Sequence, residues 1–448
     1  MARSDKLKLG TFVYTFGFHP AAWRHPGSDV RGANDLSHLI KVAKLSEAAK
    51  LDFMFFADSP AASVGAPEAL ARQPTKMNRF EPITAITALS QHTDRLGFVA
   101  TASTSYYEPY NIARLFGSAD HISGGRMCWN VVTSDHDETG YNYNRDGLPP
   151  HSERYERCEE FVDVVFGLWD SFEPDALLLD RESGLYHDKD KLHLLNHVGK
   201  HFQVRGPLNM ARSPQGRPVI AQAGGSEPGM ELAARTAEMV FSLASNIDRS
   251  RAFYANVKAR MAKYGRAEED LKIMPGIVLN VGATEAEAEA RAQQLVDLMH
   301  PDVGLLMLQE FLETDLHGAD LDRPFPMDRM PERAKGSQAL FEELTEFVTK
   351  GHTLRELITH YARRHTGNGI TGTPAQIADF MEEWFETRAA DGFILMCPTL
   401  PAALEDFTTL VVPELQRRGL FRTEYEARTL RGNLGISEPA NRYTAARG

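Results

Sequence analysis

Residues 218–236 read "PVIAQAGGSEPGMELAART". Val219, Ile220 and Ala221 form an apolar run that ends in Gly224-Gly225-Ser226, and helical spacing begins at once. A strand turning directly into a helix is the unit from which α/β folds are built. Two glycines and a serine at the turn raise the question of what approaches the backbone there. Exposed amides at a helix N-terminus suit an anion, most often a phosphate. An ordinary turn with Ser226 as N-cap is the competing reading.

The same alternation runs the length of the chain. Candidate strands cover 8–14, 53–57, 96–103, 126–132, 218–223, 239–244, 272–281 and 392–397. Helical patterns occupy 35–50, 82–93, 111–123, 152–170, 227–237, 250–265, 284–299 and 401–419. Eight strands alternating with eight helices predict a closed parallel (β/α)8 TIM barrel in one domain. An open doubly wound sheet is the alternative. The barrel requires insertions at about 59–81, 133–151, 171–217 and 300–372, and it leaves a C-terminal tail at 420–448. In a barrel, residues that end a strand or open the following loop line the catalytic face. Here those are Asp58, Thr101, Ser103, the Asn130–Thr133 segment and the Gly224-Gly225-Ser226 turn.

The composition narrows the class. Over 448 residues, 42% hydrophobic and 25% charged content is that of a globular protein. A net charge of −12 and the lack of a basic block argue against nucleic-acid binding. No run approaches 18 apolar residues, so no membrane span is expected. "MARSDKLKLGTF" lacks the apolar core of a secretory signal, and a cytoplasmic location is expected. Cys128, Cys158 and Cys397 form no C-x-x-C pair, which argues against a disulfide framework or zinc site. His193, His197 and His201 recur every four residues, but Gly199 interrupts them, and no metal is expected.

The glycine turn is neither a G-x-G-x-x-G dinucleotide fingerprint nor a P-loop, since no Gly-Lys-Ser/Thr follows. A glycine turn opening a helix in the second half of a barrel matches a barrel phosphate site. The segments "FFADSPAAS" (55–63), "ATASTSYYEPYNIARLFGSADHISGGRMCWNVVTS" (100–134), "HSERYERCEEFVDVVFGLWDS" (151–171), "VRGPLNMARSPQGRPVIAQAGGSEPG" (204–229) and "VVPELQRRGLFRTEYEARTLRGNLGI" (411–436) carry a resemblance. Together they resemble the nitrilotriacetate monooxygenase component A and dibenzothiophene-sulfone monooxygenase group of bacterial-luciferase-like flavin monooxygenases, over about residues 8–437.

That resemblance implies a two-component enzyme. Reduced FMN (FMNH2) would come from a separate NAD(P)H-dependent flavin reductase, and O2 would oxygenate a small organic substrate through a C4a-(hydro)peroxyflavin. Candidate substrates are an aminopolycarboxylate, an organosulfur compound or an aromatic xenobiotic. By the family's pattern Asp58, Thr101 or Ser103, His151, Tyr155 and Ser226 would contact FMN, whose phosphate would meet Gly225 and Ser226. A homo-oligomer, dimer or tetramer, is expected by the same analogy, with the tail as a possible interface. The alternatives are a flavin-peroxide lyase or dehalogenase, a flavin-degrading enzyme, or a flavin-binding protein without turnover.

The residues can be weighed separately. His151 and Tyr155 are four apart at a helix start, able to share one face and donate to phosphate, or else to cap and pack. Thr101 and Ser103 share a strand face. Asn130 closes an apolar strand, where a buried amide needs partners, either a flavin edge or backbone. Phe12, Tyr14, Phe16, His19 and Trp23 are candidates for an apolar substrate wall. The 300–372 insertion, with Arg363 and Arg364, is the candidate lid. The catalytic proton donor is not legible.

Overall fold

The computed structural model describes residues 3, 5–74, 77–134, 136–243, 246–333, 338–365 and 369–445. Eight strands form the barrel: β1 (Lys8–Val13), β2 (Phe53–Phe56), β3 (Gly97–Ser103), β4 (Met127–Val132), β5 (Val219–Gln222), β6 (Met239–Ser242), β7 (Lys272–Val281) and β8 (Gly392–Leu395). Each pairs in parallel with its neighbours, and β8 returns to β1. The sheet therefore closes, which rules out the open doubly wound alternative.

Alternation along the strands sorts side chains between two cores. On β3, Phe98, Ala100 and Ala102 pack outward with the helices. Val99 points into the barrel with Phe12, Phe53, Phe55, Cys128, Val219, Ala221, Met239 and Met274. Thr101 and Ser103 continue the inward row toward the strand's C-terminal end, where apolar filling stops.

The N-terminal end of the barrel is plugged by the tail. Leu430, Leu434 and Ile436 pack into the interior cluster, and the Leu430 amide bonds to Gly125 O at 3.0 Å. Buried Arg431 pairs with Glu238, which stands just before β6, at 2.6 Å, and buried Arg422 pairs with Asp52, just before β2. The tail thus completes the barrel's own core.

The insertions differ in character. Residues 171–217 carry a two-stranded antiparallel pair, His197–Val198 with Gln203–Val204. The 300–372 segment is the candidate lid. It folds as helices Pro301–Leu312, Gln338–Thr349 and Leu354–His365 around a separate apolar cluster including Leu308, Phe311, Leu344 and Tyr361. Arg363 hydrogen-bonds Gln293, and the Arg364 side chain lies outside the described residues. The helix Pro374–Glu386, which leads into β8, was not anticipated. A Thr373/Gln376 capping box with Pro at its start fixes its first turn. Among the described residues, no helix is long and apolar enough to cross a membrane.

Candidate active site

The C-terminal mouth of the barrel opens into a cavity of about 320 Å³, within the range of small-molecule sites. Its walls come from the ends of β1 to β6 and from the loops that follow β2, β4 and β5. Of the residues expected there, Asp58, Thr101, Ser103, Asn130 and Tyr155 line it directly.

At one side the β5 turn delivers the helix Glu227–Thr236. Ser226 is its N-cap, and its Oγ accepts from the Gly229 amide at 3.3 Å. The Ser226 hydroxyl also donates to the Tyr155 hydroxyl at 3.4 Å. A Cβ on Gly224 would lie 3.0 Å from Gly229 Cα and 3.4 Å from the Tyr155 hydroxyl, so a side chain at this position would push on the first turn of the helix. A Cβ on Gly225 would meet nothing within 4 Å and would project into open space above the helix start. The two glycines therefore differ: Gly224 permits close packing, and Gly225 keeps the approach clear. Glu227, an acidic residue in the first turn, pairs with Arg260 at 2.5 Å, which offsets its charge beside this anion-favouring end. His151 opens the helix His151–Trp169 one turn ahead of Tyr155, its ring 4.7 Å from the tyrosine ring, but it is exposed and does not line the cavity.

Deeper in, Asn130 donates to Thr101 Oγ1 at 2.9 Å, and Thr101 donates to Phe56 O at 2.8 Å. This fixes the amide orientation and leaves Asn130 Oδ1 buried with no partner. Such an acceptor is costly unless a ligand donates to it. Ser103 exchanges a hydrogen bond with Ser134 at 2.7 Å, tying β3 to the loop after β4.

Asp58 follows β2. Burial pushes its carboxyl up to about 6, with Glu81 adding to the rise and Arg79 opposing it. Arg79 Nε stands 3.7 Å from Asp58 Oδ1. Phe12, Phe55 and Phe241 make up an aromatic surface, with Phe12 stacked on Phe55 at 5.5 Å and on Phe241 at 5.7 Å.

Of the expected apolar wall, only Phe12 faces this cavity. Phe16 and Trp23 belong to a separate small cluster, and Trp23 donates to Arg72 O. Tyr14 lines a neighbouring recess, and His19 Nδ1 accepts from the Ala21 amide in its own turn. Cys158, Gln222, Tyr107, Phe55 and Phe241 also line the cavity without having been anticipated. The last two follow from the inward register of β2 and β6, a signal readable only once the barrel is closed. His193 and His197 bond to different carboxylates, Glu173 and Glu160. Among the described residues no group of three or more His, Cys, Asp or Glu is placed to hold a metal.

The pattern of the luciferase-like monooxygenase family matches residues 11–391. The chain is 46% identical to nitrilotriacetate monooxygenase component A of Aminobacter aminovorans, covering 98% of this chain and 99% of that protein. It is 44% identical to N-acetyl-S-(2-succino)cysteine monooxygenase of Bacillus subtilis (strain 168), covering 99% of each chain. A structure of riboflavin lyase with modified FMN and riboflavin superposes with a TM-score of 0.83 at 29% identity, covering 97% of both chains.

Proposed function

Because the chain belongs to the luciferase-like monooxygenases and is a flavin-dependent monooxygenase, we propose that it takes reduced FMN from a separate flavin reductase and uses O2 to oxygenate a small organic compound. Both named relatives act on compounds bearing several carboxylates, which favours an aminopolycarboxylate or organosulfur acid over a neutral aromatic substrate.

One observation carries the reading. A single cavity joins Gly224, Gly229 and the Tyr155 hydroxyl at a helix N-terminus to a buried amide oxygen lacking a donor, and Ser226, exposed outside the cavity wall with Gly225, bonds to that Tyr155 hydroxyl. These are the two chemistries a flavin mononucleotide presents, a terminal phosphate and a ring edge with N–H donors. Ser226, Tyr155 and the amides beside Gly225 would hold the phosphate, Asn130 Oδ1 would accept from the ring, and Thr101 and Ser103 would flank it. His151 stands at the rim, one turn from Tyr155, where it would reach the phosphate from solvent.

When bound, reduced FMN supplies the activation of oxygen; the protein supplies orientation and shelter from water. Phe12, Phe55 and Phe241 give the cavity an apolar surface that disfavours water. Asp58, with a carboxyl near 6, can hold a proton on a carboxyl oxygen close to neutrality and release it there.

The test is equilibrium titration of FMN into Ser226→Ala and Tyr155→Phe. Each should weaken binding by about 1–3 kcal/mol through loss of a hydrogen bond to a charged group. Wild-type affinity in both variants would mean that the phosphate lies elsewhere. Analysis of products formed with reduced FMN and O2 separates oxygenation of an added compound from breakdown of the flavin itself.

A further inference from the structure

The loop that leaves β4 returns to the helix His151–Trp169, and one side chain holds its two ends together. Arg154, in the first turn of that helix, donates from Nη1 to Thr133 O at 3.3 Å and to Ser134 O. Its Nε donates to Pro149 O at 3.0 Å. A single guanidinium fork thus joins the first residues of the loop to its last. Further out, Asp137 Oδ1 accepts from the Leu148 amide at 2.9 Å. A Cβ on Gly140 would lie 2.3 Å from Gly147 O, so the two limbs of the loop run in contact. The result is a compact loop with a narrow base and its own internal packing.

Both ends of this loop bear on the main cavity. At the base, Ser134 has a φ of 59°, a left-handed backbone that a side-chain-bearing residue keeps only where its surroundings hold it. Ser134 lines the cavity wall, where its hydroxyl meets that of Ser103. At the tip, Tyr143 stacks on Tyr106 from the loop after β3, with ring centroids 4.8 Å apart. Asn142 Nδ2 donates to Pro60 O, in the cavity-lining loop after β2, at 3.5 Å. The loop therefore reaches from β4 across to the loops after β3 and β2. Burial and the charges of Asp58 and Glu81 raise the pKa of the Tyr143 hydroxyl, which places the tip within electrostatic reach of Asp58. The base is tied by several bonds to one fork; the tip is fastened by one ring stack and one long hydrogen bond.

We propose that Arg154 is a positioning residue: by clasping both ends of this loop it sets the loop as a roof over the flavin, latched at its tip by Tyr143 on Tyr106. The inference rests on the FMN reading above. The aromatic surface of Phe12, Phe55 and Phe241 keeps water from one side of the cavity, and the roof keeps it from the open mouth. Arg154 does not itself line the cavity, so it acts through Ser134 and Tyr143 rather than by touching the cofactor.

The experiment follows hydrogen–deuterium exchange of residues 136–149, with and without oxidised FMN, in wild type, Arg154→Met and Tyr143→Ala. Equilibrium FMN titration of each runs alongside. In the wild type FMN should slow exchange of this segment by more than about threefold. Arg154→Met should bind FMN within about tenfold of wild type, because Ser226, Tyr155 and Asn130 are intact, yet FMN should no longer slow the loop. Tyr143→Ala, at an exposed position, should fold as wild type does and lose the same slowing; it decides the matter if Arg154→Met does not fold. A purely structural Arg154 would raise exchange equally with and without FMN and leave the slowing intact. The proposal is overturned by that result, by a wild-type loop whose exchange ignores bound FMN, by full slowing in Tyr143→Ala, or by a larger loss of FMN affinity in Arg154→Met. Failure of the wild type to bind FMN at all would instead sink the parent reading, and this inference with it.

Discussion

The two mouths of the barrel treat buried charge in opposite ways. At the N-terminal mouth, Arg431 makes two hydrogen bonds to the Glu238 carboxylate, at 2.6 and 3.0 Å, and Arg422 is paired with Asp52. Arg422 Nη1 has no partner, but its charge is matched. Burial works against the Glu238 carboxylate, yet Arg431, Arg217 and the Ile220 amide hold its pKa below the usual glutamate value. At the C-terminal mouth burial prevails, and Asp58 rises to about 6 with Arg79 standing off at 3.7 Å. The same desolvation thus gives a closed ion pair at one end and an unfinished one at the other. The unfinished pair stands at the mouth that holds the cavity.

Breaking the closed end should have the largest effect. Arg431→Met leaves Glu238 buried without its main counter-ion, and about 3–5 kcal/mol of unfolding free energy should be lost in urea titration. Flavin affinity of the folded fraction should stay unchanged, because the cavity is at the other end of the strands. The open end should give the reverse signature. Asn130→Leu removes an orphaned acceptor, but it also removes a donor to Thr101. Unfolding free energy should therefore move by less than about 1 kcal/mol, while FMN affinity falls about tenfold. Equal losses of stability in both variants would erase the distinction between the two mouths.

How far this division could be read from sequence depends on the residue. The eight barrel strands are legible because each is a short apolar run set between helical patterns, and several close on polar residues, as in "ATAST" after Val99. Asp58, Thr101, Ser103 and Asn130 were legible for the same reason. The helix Pro374–Glu386 was missed although its capping box is written in "TPAQ", because the glycines before it read as a hinge. The 300–372 insertion was read as a lid, since nothing local shows that Phe311, Leu344 and Tyr361 meet one another rather than the barrel. The tail offered few apolar residues, and only the closed barrel shows that Leu430 and Leu434 fill its base. Arg79 could not be singled out at all: its relation to Asp58 spans a long loop and exists only in three dimensions.

The smallest expected effect is also the one that tests the comparison most directly, because it concerns sign. Asp58 has an ordinary value of 3.8 and a folded value of about 6. Between those values the folded state binds more protons than the unfolded chain, so stability falls as pH rises through that window and levels off above it. Asp58→Asn cannot titrate. The wild type should therefore lose about 1–2 kcal/mol relative to this variant between about pH 4 and pH 6.5, after allowance for partial solvent screening. Glu238 should behave oppositely. Its folded value lies below the ordinary 4.5, so its contribution is present above that pH and is lost as pH falls through the depressed value. Urea unfolding of wild type, Asp58→Asn and Glu238→Gln should give difference curves of opposite slope, that for Glu238 below about pH 5 and that for Asp58 between about pH 4 and pH 6.5. Arg79, Glu81, Tyr107 and Tyr143 are the titratable groups coupled to Asp58. The Glu81 carboxylate keeps its bonds to the Ile83 and Thr84 amides in the variant. Curves of the same slope would mean that Asp58 is paired as tightly as Glu238, and that the C-terminal mouth is as finished as the base.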